Sequence, residues 1–379
     1  MSTDELRKNP EIVQAVLRAC RLLKAFRHDG ELLRLRDLVA RTSQNKTTVF
    51  RLLRTLEQGG FIERVGEDHY RSRVKTPDAP RVRIGFATRG TRFPFSRIVT
   101  ESVQRAAAEA GFDLVTVTNH RSPKKALSNA DLLVRQGVEL VIEFQTHERV
   151  APVISSRFIE ANIPVIAIEI PHPSATFFGA NNYQAGLIGG RALGKWVQKN
   201  WGGQVARVFL LEEEVAGPLP KLRVTGMRVG LHEVLPQSEE ATIVEVDGKG
   251  TLETAFEEMR KRLRFLRPER TVVAAGNDPM ALGALRAFEE AGWRDCCAVM
   301  SQNATPDGRE ELRRPGTRLI GSVAYFPERY GDEIMALARS ILAGKPVPPA
   351  VFTKHRLITP ENVDKFYPMD REQSGSFLG

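Results

Sequence analysis

Residues 36–64 read RDLVARTSQNKTTVFRLLRTLEQGGFIER. The stretch predicts two short helices joined by a tight turn, because Thr42, Ser43 and Gln44 carry short polar side chains that favour turns and helix caps. The second helix begins at Asn45 and ends at the glycine pair 59–60, since glycine commonly closes a helix in a left-handed conformation. Its apolar residues recur at helical spacing and would lie on one side: Val49, Leu52, Leu53 and Leu56.

A hairpin is predicted after the second helix. Phe61, Ile62 and Val65 form one short apolar run, Tyr70 lies in the next, and residues 66–68 supply the turn. Two helices followed by a hairpin describe a winged helix-turn-helix. Because the leucines of the second helix would face its own domain, its hydroxyl and cationic side chains are free to enter a DNA major groove.

The candidate DNA-binding residues lie largely off this apolar stripe. Thr47, Thr48 and Arg51 are predicted to face the groove, whereas Lys46 and Arg54 are predicted to contact phosphates, which position a helix without reading sequence. Three wing arginines would add phosphate or minor-groove contacts: Arg64, Arg71 and Arg73. The alternative is a small helical module that binds protein and leaves this basic face in solvent.

Residues 12–74 resemble the N-terminal DNA-binding domain of IclR-type transcription regulators. The resemblance rests on NKTTVFRLLRTLEQGGFIER at 45–64, where a threonine pair, an arginine three residues later and Leu-Glu-x-Gly-Gly-Phe lead into the wing. It implies a DNA-binding domain at residues 1–75. A linker at 76–81 would follow, whose prolines prevent a continuous helix.

Charge and cysteine content limit the possible classes of protein. The 379 residues carry a net charge of +9, and residues 1–81 hold 17 Lys+Arg against 11 Asp+Glu, which agrees with a phosphate-binding surface. Cys20, Cys296 and Cys297 offer no disulfide framework. The first thirty residues lack the apolar core of a signal peptide, and no run approaches the roughly 18 apolar residues of a membrane span. We therefore expect a cytoplasmic protein.

From Arg81 onward, short β-rich runs alternate with amphipathic helices. Near-continuous apolar strands separated by helices predict parallel sheets that are covered on both faces. Two such series predict an α/β fold of two doubly wound lobes at residues 82–368, with a ligand cleft at the carboxyl ends of the strands and a tail at 369–379. The predicted helices are 96–110, 124–136, 148–160, 184–199, 224–234, 252–266 and 279–291.

Several short motifs in this part resemble type I periplasmic sugar-binding proteins, whose fold is also used by LacI-type repressors. The order and spacing of the motifs over 82–368 carry the resemblance, which implies a small carbohydrate-like ligand. The main motifs are Phe93-Pro94-Phe95-Ser96, Arg223-x-x-Gly226-Met227, Asn277-Asp278-Pro279-Met280 and Asn303-x-x-Pro306-Asp307-Gly308.

A sugar needs an apolar surface for its C–H face and polar groups that pair with its hydroxyls. Strand ends and the resemblance together give eight candidate ligand-binding residues: Phe93, Phe95, Gln145, Glu169, Arg223, Asn277, Asn303 and Tyr325. Within the Asn-Asp pair, Asn277 is expected to bind ligand while Asp278 caps the following helix. The alternative for Arg223 is a surface ion pair with one of the glutamates at 212–214.

Departures from the family pattern bear on the ligand. Ile170 stands where the family carries an arginine, and Asn303 stands where it often carries an aspartate. We therefore do not expect a simple ribose-like specificity. With one carboxylate fewer nearby, Arg223 is predicted to tolerate an acidic sugar.

Motifs of catalysis are missing from the sequence. It contains no GxxxxGK[ST], GxSxG, HExxH or CxxC, and its seven histidines show no metal-ligand spacing. The glycines of Gly186-x-x-Gly189-Gly190 lie inside a predicted helix, where they would allow close packing. We expect no enzyme activity, no cofactor and no metal.

The prediction is a homodimeric, ligand-responsive transcription regulator that binds operator DNA and a sugar-like effector. Three alternatives remain: a solute-binding protein of a sugar transporter, a doubly wound enzyme, and a sensor that binds protein instead of DNA. A signal peptide would favour the first alternative, and steady turnover of a bound sugar would favour the second. Binding that falls steeply with added salt and prefers one genomic site would exclude the third.

Overall fold

A computed structural model describes residues 13–26, 30–74 and 81–368 of the chain. The chain divides into two compact units, Met1–Val82 and Arg83–Gly379. Most of the predicted linker (76–80) and the predicted tail (369–379) lie outside the described residues. Within the described part, no helix is both long and apolar enough to cross a membrane.

The N-terminal unit contains the predicted helix-turn-helix and hairpin. Ser43 ends the first of the paired helices with φ 51°, and the Asn45 side chain accepts a hydrogen bond from Thr47 N at 2.9 Å to begin the second. Gly60, with φ 76°, follows its end. The elements are α1 Gln14–Leu23, β1 Leu33–Arg34, α2 Leu35–Thr42, α3 Lys46–Gln58, β2 Ile62–Val65 and β3 His69–Ser72.

The hairpin gains a third strand that was not predicted. β1 pairs antiparallel with β3, so the sheet has the order β1-β3-β2. A two-residue strand is too short to show a period-2 pattern, so it could not be predicted from the sequence. The apolar core beneath the helices and sheet consists of Leu22, Phe26, Leu33, Leu38, Val49, Leu53, Leu56, Ile62 and Tyr70.

The first lobe of the C-terminal unit is built on six parallel strands in the order β14-β8-β7-β6-β4-β5. Helix α12 packs on α4, where Gly331 N donates to Ser102 Oγ at 2.9 Å. The elements are β4 Arg83–Thr88, α4 Pro94–Ala110, β5 Asp113–Thr118, α5 Pro123–Arg135, β6 Leu140–Glu143, α6 Ala151–Glu160, β7 Val165–Ile168, β8 Thr176–Gly179, α12 Tyr330–Leu342 and β14 Ala350–Phe352.

The second lobe has a six-stranded sheet in the order β10-β9-β11-β12-β13-β15, parallel except for the antiparallel edge strand β15. Its central strands are buried on both faces, as their apolar runs predict. The elements are α7 Asn182–Trp201, β9 Arg207–Glu212, α8 Pro218–Val234, β10 Thr242–Asp247, α9 Leu252–Leu263, β11 Thr271–Ala275, α10 Asp278–Glu290, β12 Cys297–Asn303, α11 Pro306–Arg313, β13 Leu319–Ala324, β15 Arg356–Ile358 and α13 Val363–Phe366.

The chain passes between the lobes three times: after β8, after β13 and after β14. The crossing segments contact one another. Asn181 N donates to His355 Nε2 at 3.0 Å, and the His355 ring lies 5.0 Å from the Tyr325 ring. Burial lowers the pKa of His355 to about 4, so the imidazole is neutral at pH 7 and its Nε2 can accept this hydrogen bond.

Helices α7 and α8 pack closely through glycines, as predicted for the run at 186–190. A Cβ on Gly190 would lie 2.8 Å from Leu231 N, and a Cβ on Gly230 of the facing helix would lie 2.6 Å from Leu187 O. Both distances are too short for a real side chain, so the two backbones could not approach as closely with larger residues. This contact holds α8, and with it Arg223, against the second-lobe sheet.

Candidate functional site

The outer face of α3 carries the predicted DNA-binding residues. Val49, Leu53 and Leu56 are buried on the opposite side of the helix. Four of the five candidates are exposed, whereas Thr48 is half-buried beside the core. The exposed ones are Lys46, Thr47, Arg51 and Arg54. The guanidinium of Arg54 lies 5.5 Å from the Phe50 ring centroid, so the outer face presents an aromatic residue among its cations.

The wing arginines are engaged within the hairpin. Arg71 and Arg73 both form ion pairs with Glu63, and Arg64 donates to the carbonyl oxygen of Glu67. The hydrogen bonds from Arg73 and Arg71 lower the pKa of Glu63, which therefore stays ionised. A phosphate contact from Arg71 or Arg73 would have to compete with this carboxylate.

A cavity of about 70 Å³ lies between the two lobes, at the carboxyl ends of their strands. This is several times the ~10–15 Å³ that a single water needs, so the cavity can hold a small polar molecule. Six of the eight predicted ligand-binding residues line it: Phe93, Phe95, Glu169, Arg223, Asn277 and Asn303.

Arg223 and Glu169 form an ion pair across the cleft, with Arg223 Nη2 2.7 Å from Glu169 Oε2. Asn182 Oδ1 accepts from Arg223 Nε at 2.6 Å, and Tyr330 donates to Glu169 Oε1 at 2.7 Å. Glu169 therefore neutralises Arg223, while Asn303 lines the same cavity at the position where the family often carries an aspartate. None of the glutamates at 212–214 forms its ion pair, and Glu212 pairs instead with Lys221.

The roles expected within the Asn-Asp pair are corrected by the structure. Asn277 caps α10, because its Oδ1 accepts from Met280 N at 2.9 Å, although the residue also lines the cavity. Asp278 does not cap the helix. Its carboxylate is buried and accepts from Ser301, Ser322 and Thr305 at 2.6–2.9 Å. Asp278 thus ties the start of α10 to β12, β13 and α11.

Gln145 and Tyr325 do not line the cavity. The Gln145 side-chain oxygen accepts from the backbone nitrogen of His147 in the following loop. Tyr325 is 1% exposed and its hydroxyl donates to Gln302 Oε1 at 2.8 Å, while its ring centroid lies 5.0 Å from the Arg223 guanidinium. Tyr325 therefore positions Arg223 from behind the cleft surface.

Three charged residues of the cleft were missed by the sequence analysis: Arg89, Arg121 and Glu213. Arg121 donates to Glu213 across the cleft, and Arg89 Nη2 lies 3.9 Å from the same carboxylate. Arg89 follows the carboxyl end of β4 and Glu213 follows that of β9. Ligands of open α/β sheets bind at the carboxyl ends of the strands. This signal was present in the sequence.

Backbone strain also concentrates at the cleft. Arg121, Glu169 and Asn303 adopt left-handed conformations with φ of 55°, 62° and 99°. Such residues cost on the order of 1–3 kcal/mol each and cluster at binding and active sites. Their side chains are thereby directed from strand ends into the space between the lobes.

Some polar atoms around the cavity have no hydrogen-bond partner within the described part of the chain. These atoms are Arg89 Nε, Thr146 Oγ1 and Asn303 Oδ1, all of them buried. A buried polar group without a partner is unfavourable, so the cavity is suited to a ligand that supplies both donors and acceptors.

The apolar part of the cavity comes from Phe93, which immediately precedes α4, and from Phe95 in its first turn. The Phe95 ring lies edge-on to Tyr330 and Phe144, with centroids 5.9 and 6.4 Å away. The Phe93 ring lies 4.9 Å from the Arg121 guanidinium. One wall is therefore aromatic while the opposite walls carry charges and amides, as a sugar-like ligand requires.

A buried carboxyl lies at the ends of β5 and β6. Asn119 Nδ2 donates to Glu143 Oε1 at 2.8 Å, and Asn129 Nδ2 donates to Asn119 Oδ1 at 2.8 Å. Burial raises the pKa of Glu143 to about 8, against a smaller opposing effect of the Asn119 hydrogen bond. The carboxyl is therefore largely protonated at neutral pH.

Comparisons with known proteins agree with both units. Residues 84–346 match the family model described as periplasmic binding protein domain, and residues 15–66 match that of the IclR helix-turn-helix domain. The ribose import binding protein of Escherichia coli is 26% identical over 260 residues, which is 67% of this chain and 82% of that protein. The D-apiose import binding protein of Paraburkholderia graminis is 24% identical over 230 residues, 59% of this chain and 70% of that protein.

Solved structures share the fold of the C-terminal unit. A solute-binding protein of an Agrobacterium vitis transporter with bound allitol has a TM-score of 0.66 at 18% identity, covering 76% of this chain and 98% of that one. A Mycobacterium smegmatis protein in complex with β-D-fucofuranose has a TM-score of 0.63 at 24% identity, covering 78% and 97%. The chain belongs to the periplasmic-binding-protein family and carries an IclR helix-turn-helix domain at its N-terminus.

Proposed function

We propose that this protein is a transcription regulator that binds operator DNA through α3 and responds to a sugar or sugar-like molecule in its cleft. The observation that carries the proposal is the presence of both features in one chain. Helix α3 exposes Lys46, Thr47 and Arg51 opposite a buried apolar side, and the cleft carries an aromatic wall facing charged and amide groups.

The ligand class is supported by the chemistry of the cleft and by the relatives. Arg223, Asn303 and Thr146 offer donors and acceptors to hydroxyls, and Phe95 offers a face to C–H groups. Relatives are named for import of ribose and D-apiose, and similar structures hold allitol and β-D-fucofuranose. We infer a polyhydroxylated ligand for this chain, with Ile170 and Asn303 altering the specificity.

The protein is proposed to act in the cytoplasm as a homodimer. One recognition helix makes few base contacts, and paired half-sites about 34 Å apart are the usual solution for helix-turn-helix proteins. We expect ligand binding without turnover. Analytical ultracentrifugation of the full chain should give the mass of a dimer, and a monomer on DNA would contradict this part of the proposal.

The test measures DNA and sugar binding on the same protein. Genomic fragments retained by the full chain identify the operator, and a thermal-shift screen of sugars, polyols and sugar acids identifies the ligand, because a ligand stabilises the folded state by mass action. The ligand should then change operator affinity by a factor of about 5–150, and operator DNA should change ligand affinity by the same factor.

The alternatives give different results. A transporter solute-binding protein or a protein-binding sensor would bind the sugar but would show no specific, salt-sensitive DNA binding. An enzyme would convert the sugar under turnover conditions. Either result would contradict the proposal.

A further inference from the structure

The charged groups of the cleft fall into two sets that differ in net charge. The inner set is the Arg223–Glu169 pair at 2.7 Å, in which one cation meets one carboxylate. Asn182 and Tyr330 satisfy further hydrogen bonds of this pair. The inner set is therefore close to neutral, and its polar atoms are largely occupied.

The outer set has two cations and one carboxylate. Arg121 hydrogen-bonds to Glu213 and donates to Lys249 O at 3.0 Å. The ion pair of Arg89 with Glu213, at 3.9 Å, is beyond hydrogen-bond distance, and the Arg89 Nε is buried without a hydrogen-bond partner among the described residues. The Arg89 and Arg121 side chains are only 18% and 21% exposed, so solvent compensates this excess positive charge poorly.

Aromatic rings fix the orientation of these two arginines. The Arg89 guanidinium lies 5.5 Å from the Phe144 ring centroid, and the Arg121 guanidinium lies 4.9 Å from that of Phe93. A guanidinium that contacts a ring keeps its N–H groups available for a planar or tetrahedral oxyanion. The outer set is thus already held in place.

Both arginines lie where the inner cavity meets a larger outer one. The outer cavity measures about 1060 Å³, and it shares Arg89, Arg121 and Phe93 with the inner cavity. The outer walls also carry Arg92, His120, Glu253 and Asp307, so cations are not in excess there. The excess is confined to the junction, which a substituent on a ring bound in the inner cavity would reach.

We propose that the ligand is an anionic sugar derivative whose carboxylate or phosphate group binds Arg89 and Arg121 at this junction. The anion supplies the negative charge that Glu213 alone does not provide. This inference rests on the proposed function, because it names the class of ligand for the same cleft. It moves the expected anion contact from Arg223, which Glu169 neutralises, to the outer arginines.

The experiment compares matched sugars by titration calorimetry on the full chain. D-ribose, D-ribonate and D-ribose 5-phosphate form one series, and D-glucose, D-gluconate and D-glucose 6-phosphate form another. In at least one series a charged member should bind about tenfold more tightly than its neutral parent. The sugar acid and the sugar phosphate within a series distinguish the two sources of negative charge.

Variants assign the effect to the junction. Arg89→Gln should lower the ratio of charged to neutral affinity towards one, whereas Glu213→Gln should raise it by removing the competing carboxylate. The exposed Arg267→Gln serves as a matched control and should leave the ratio unchanged. Circular dichroism checks the fold of each variant. If Arg89→Gln does not fold, Arg121→Gln tests the same ratio.

Two results would overturn the inference while leaving the proposed function intact. One is a neutral parent that binds as tightly as its charged partners in every series that binds. The other is a folded Arg89→Gln or Arg121→Gln variant that keeps the full preference. Binding of no sugar, charged or neutral, together with operator affinity that no sugar alters, would contradict the proposed function itself.

Discussion

Arg223 is held in the cleft by residues from distant parts of the chain. Glu169 follows β7, Asn182 begins α7, and Tyr325 and Tyr330 flank the second lobe crossing. Glu169, Asn182 and Tyr325 contact the guanidinium directly, whereas Tyr330 holds Glu169 in place, so the position of the guanidinium in the cavity is fixed. A binding group that is fixed before the ligand arrives loses less conformational entropy on binding.

Individual residues of α3 should make different kinds of DNA contact, some to bases and some to phosphates. Replacing Arg51 by Ala should cost about 1–3 kcal/mol and relax specificity at one base pair, because Arg51 is predicted to contact a base edge. Replacing Lys46 by Ala should weaken binding to all sequences and flatten its salt dependence. Affinities for operator variants at several salt concentrations check both outcomes.

Arg267→Ala provides the control for these two variants, since it removes an exposed arginine from the other unit. Equal losses from Arg51→Ala on all operator variants would contradict a base contact and would place that side chain on the phosphates.

Glu143 should make stability depend on pH. Its pKa of about 8 in the folded chain exceeds the ordinary 4.5, so the folded state binds more protons than the unfolded state between these values. Stability should therefore fall as pH rises from about 4.5 to 8, by at most about 1.4 kcal/mol per pH unit. Urea unfolding of Glu143→Gln should show a correspondingly smaller loss over this range.

The exposed Glu139→Gln is the matched control, because it removes a carboxylate just before the same strand. If wild type and Glu143→Gln lost the same stability between pH 5 and 8, Glu143 would be ionised in the folded protein.

At the residue scale, the sequence predicted six cavity-lining residues but not how they are paired. Phe95, Glu169 and Asn277 follow strand ends or match a family motif, which is a local signal. The pairing of Arg121 with Glu213 joins two loops whose residues lie far apart in sequence, so no local pattern could reveal it. The half-buried position of Thr48 likewise depends on the domain core.

Among the elements, the α7–α8 contact depends on glycine. Substituting Gly230 by Ala should destabilise the protein by about 1–3 kcal/mol, because the new Cβ would lie 2.6 Å from Leu187 O and the helices would have to separate. Chemical denaturation checks the loss. Ligand affinity should fall as well, since α8 carries Arg223.

Arg228→Ala on the exposed side of α8 is the control and should change stability by less than about 0.5 kcal/mol. A Gly230→Ala variant as stable as this control would mean that the two helices can shift apart without cost.

Most long elements could be predicted from periodicity, with ends shifted by a few residues. The largest shift is at α8, which was predicted from 224 and begins at Pro218. Strands β8, β13, β14 and β15 and helices α11–α13 were not predicted. Several of them span only three or four residues, which is too short for a helical or alternating pattern to stand out.

Across the whole C-terminal unit, the ion pairs of the cleft connect one lobe to the other. In one set of ion pairs, Arg89 and Arg121 belong to the first lobe and Glu213 to the second. In the other, the carboxylate of Glu169 belongs to the first lobe and the cation, Arg223, to the second. The same contacts that bind a ligand would therefore resist hinge opening.

Glu213→Gln should favour opening in the absence of ligand. Both arginines would lose their shared carboxylate, so amides after β5 and β9 should exchange hydrogen faster, and added ligand should restore protection. Hydrogen–deuterium exchange on the full chain measures this. Glu253→Gln, on the outer wall, is the control. Unchanged protection in Glu213→Gln would mean that the cleft stays closed without this carboxylate.

The triple passage between the lobes sets the order in which the molecule can assemble on the ribosome. The described part of the winged unit is complete by residue 74, but the first-lobe sheet needs its edge strand at Ala350–Phe352 and the second-lobe sheet needs Arg356–Ile358. The first lobe cannot complete its sheet before residue 352 has emerged, and the second lobe cannot do so before residue 358. The winged unit can therefore fold early during synthesis, whereas the C-terminal unit must finish both lobes nearly together.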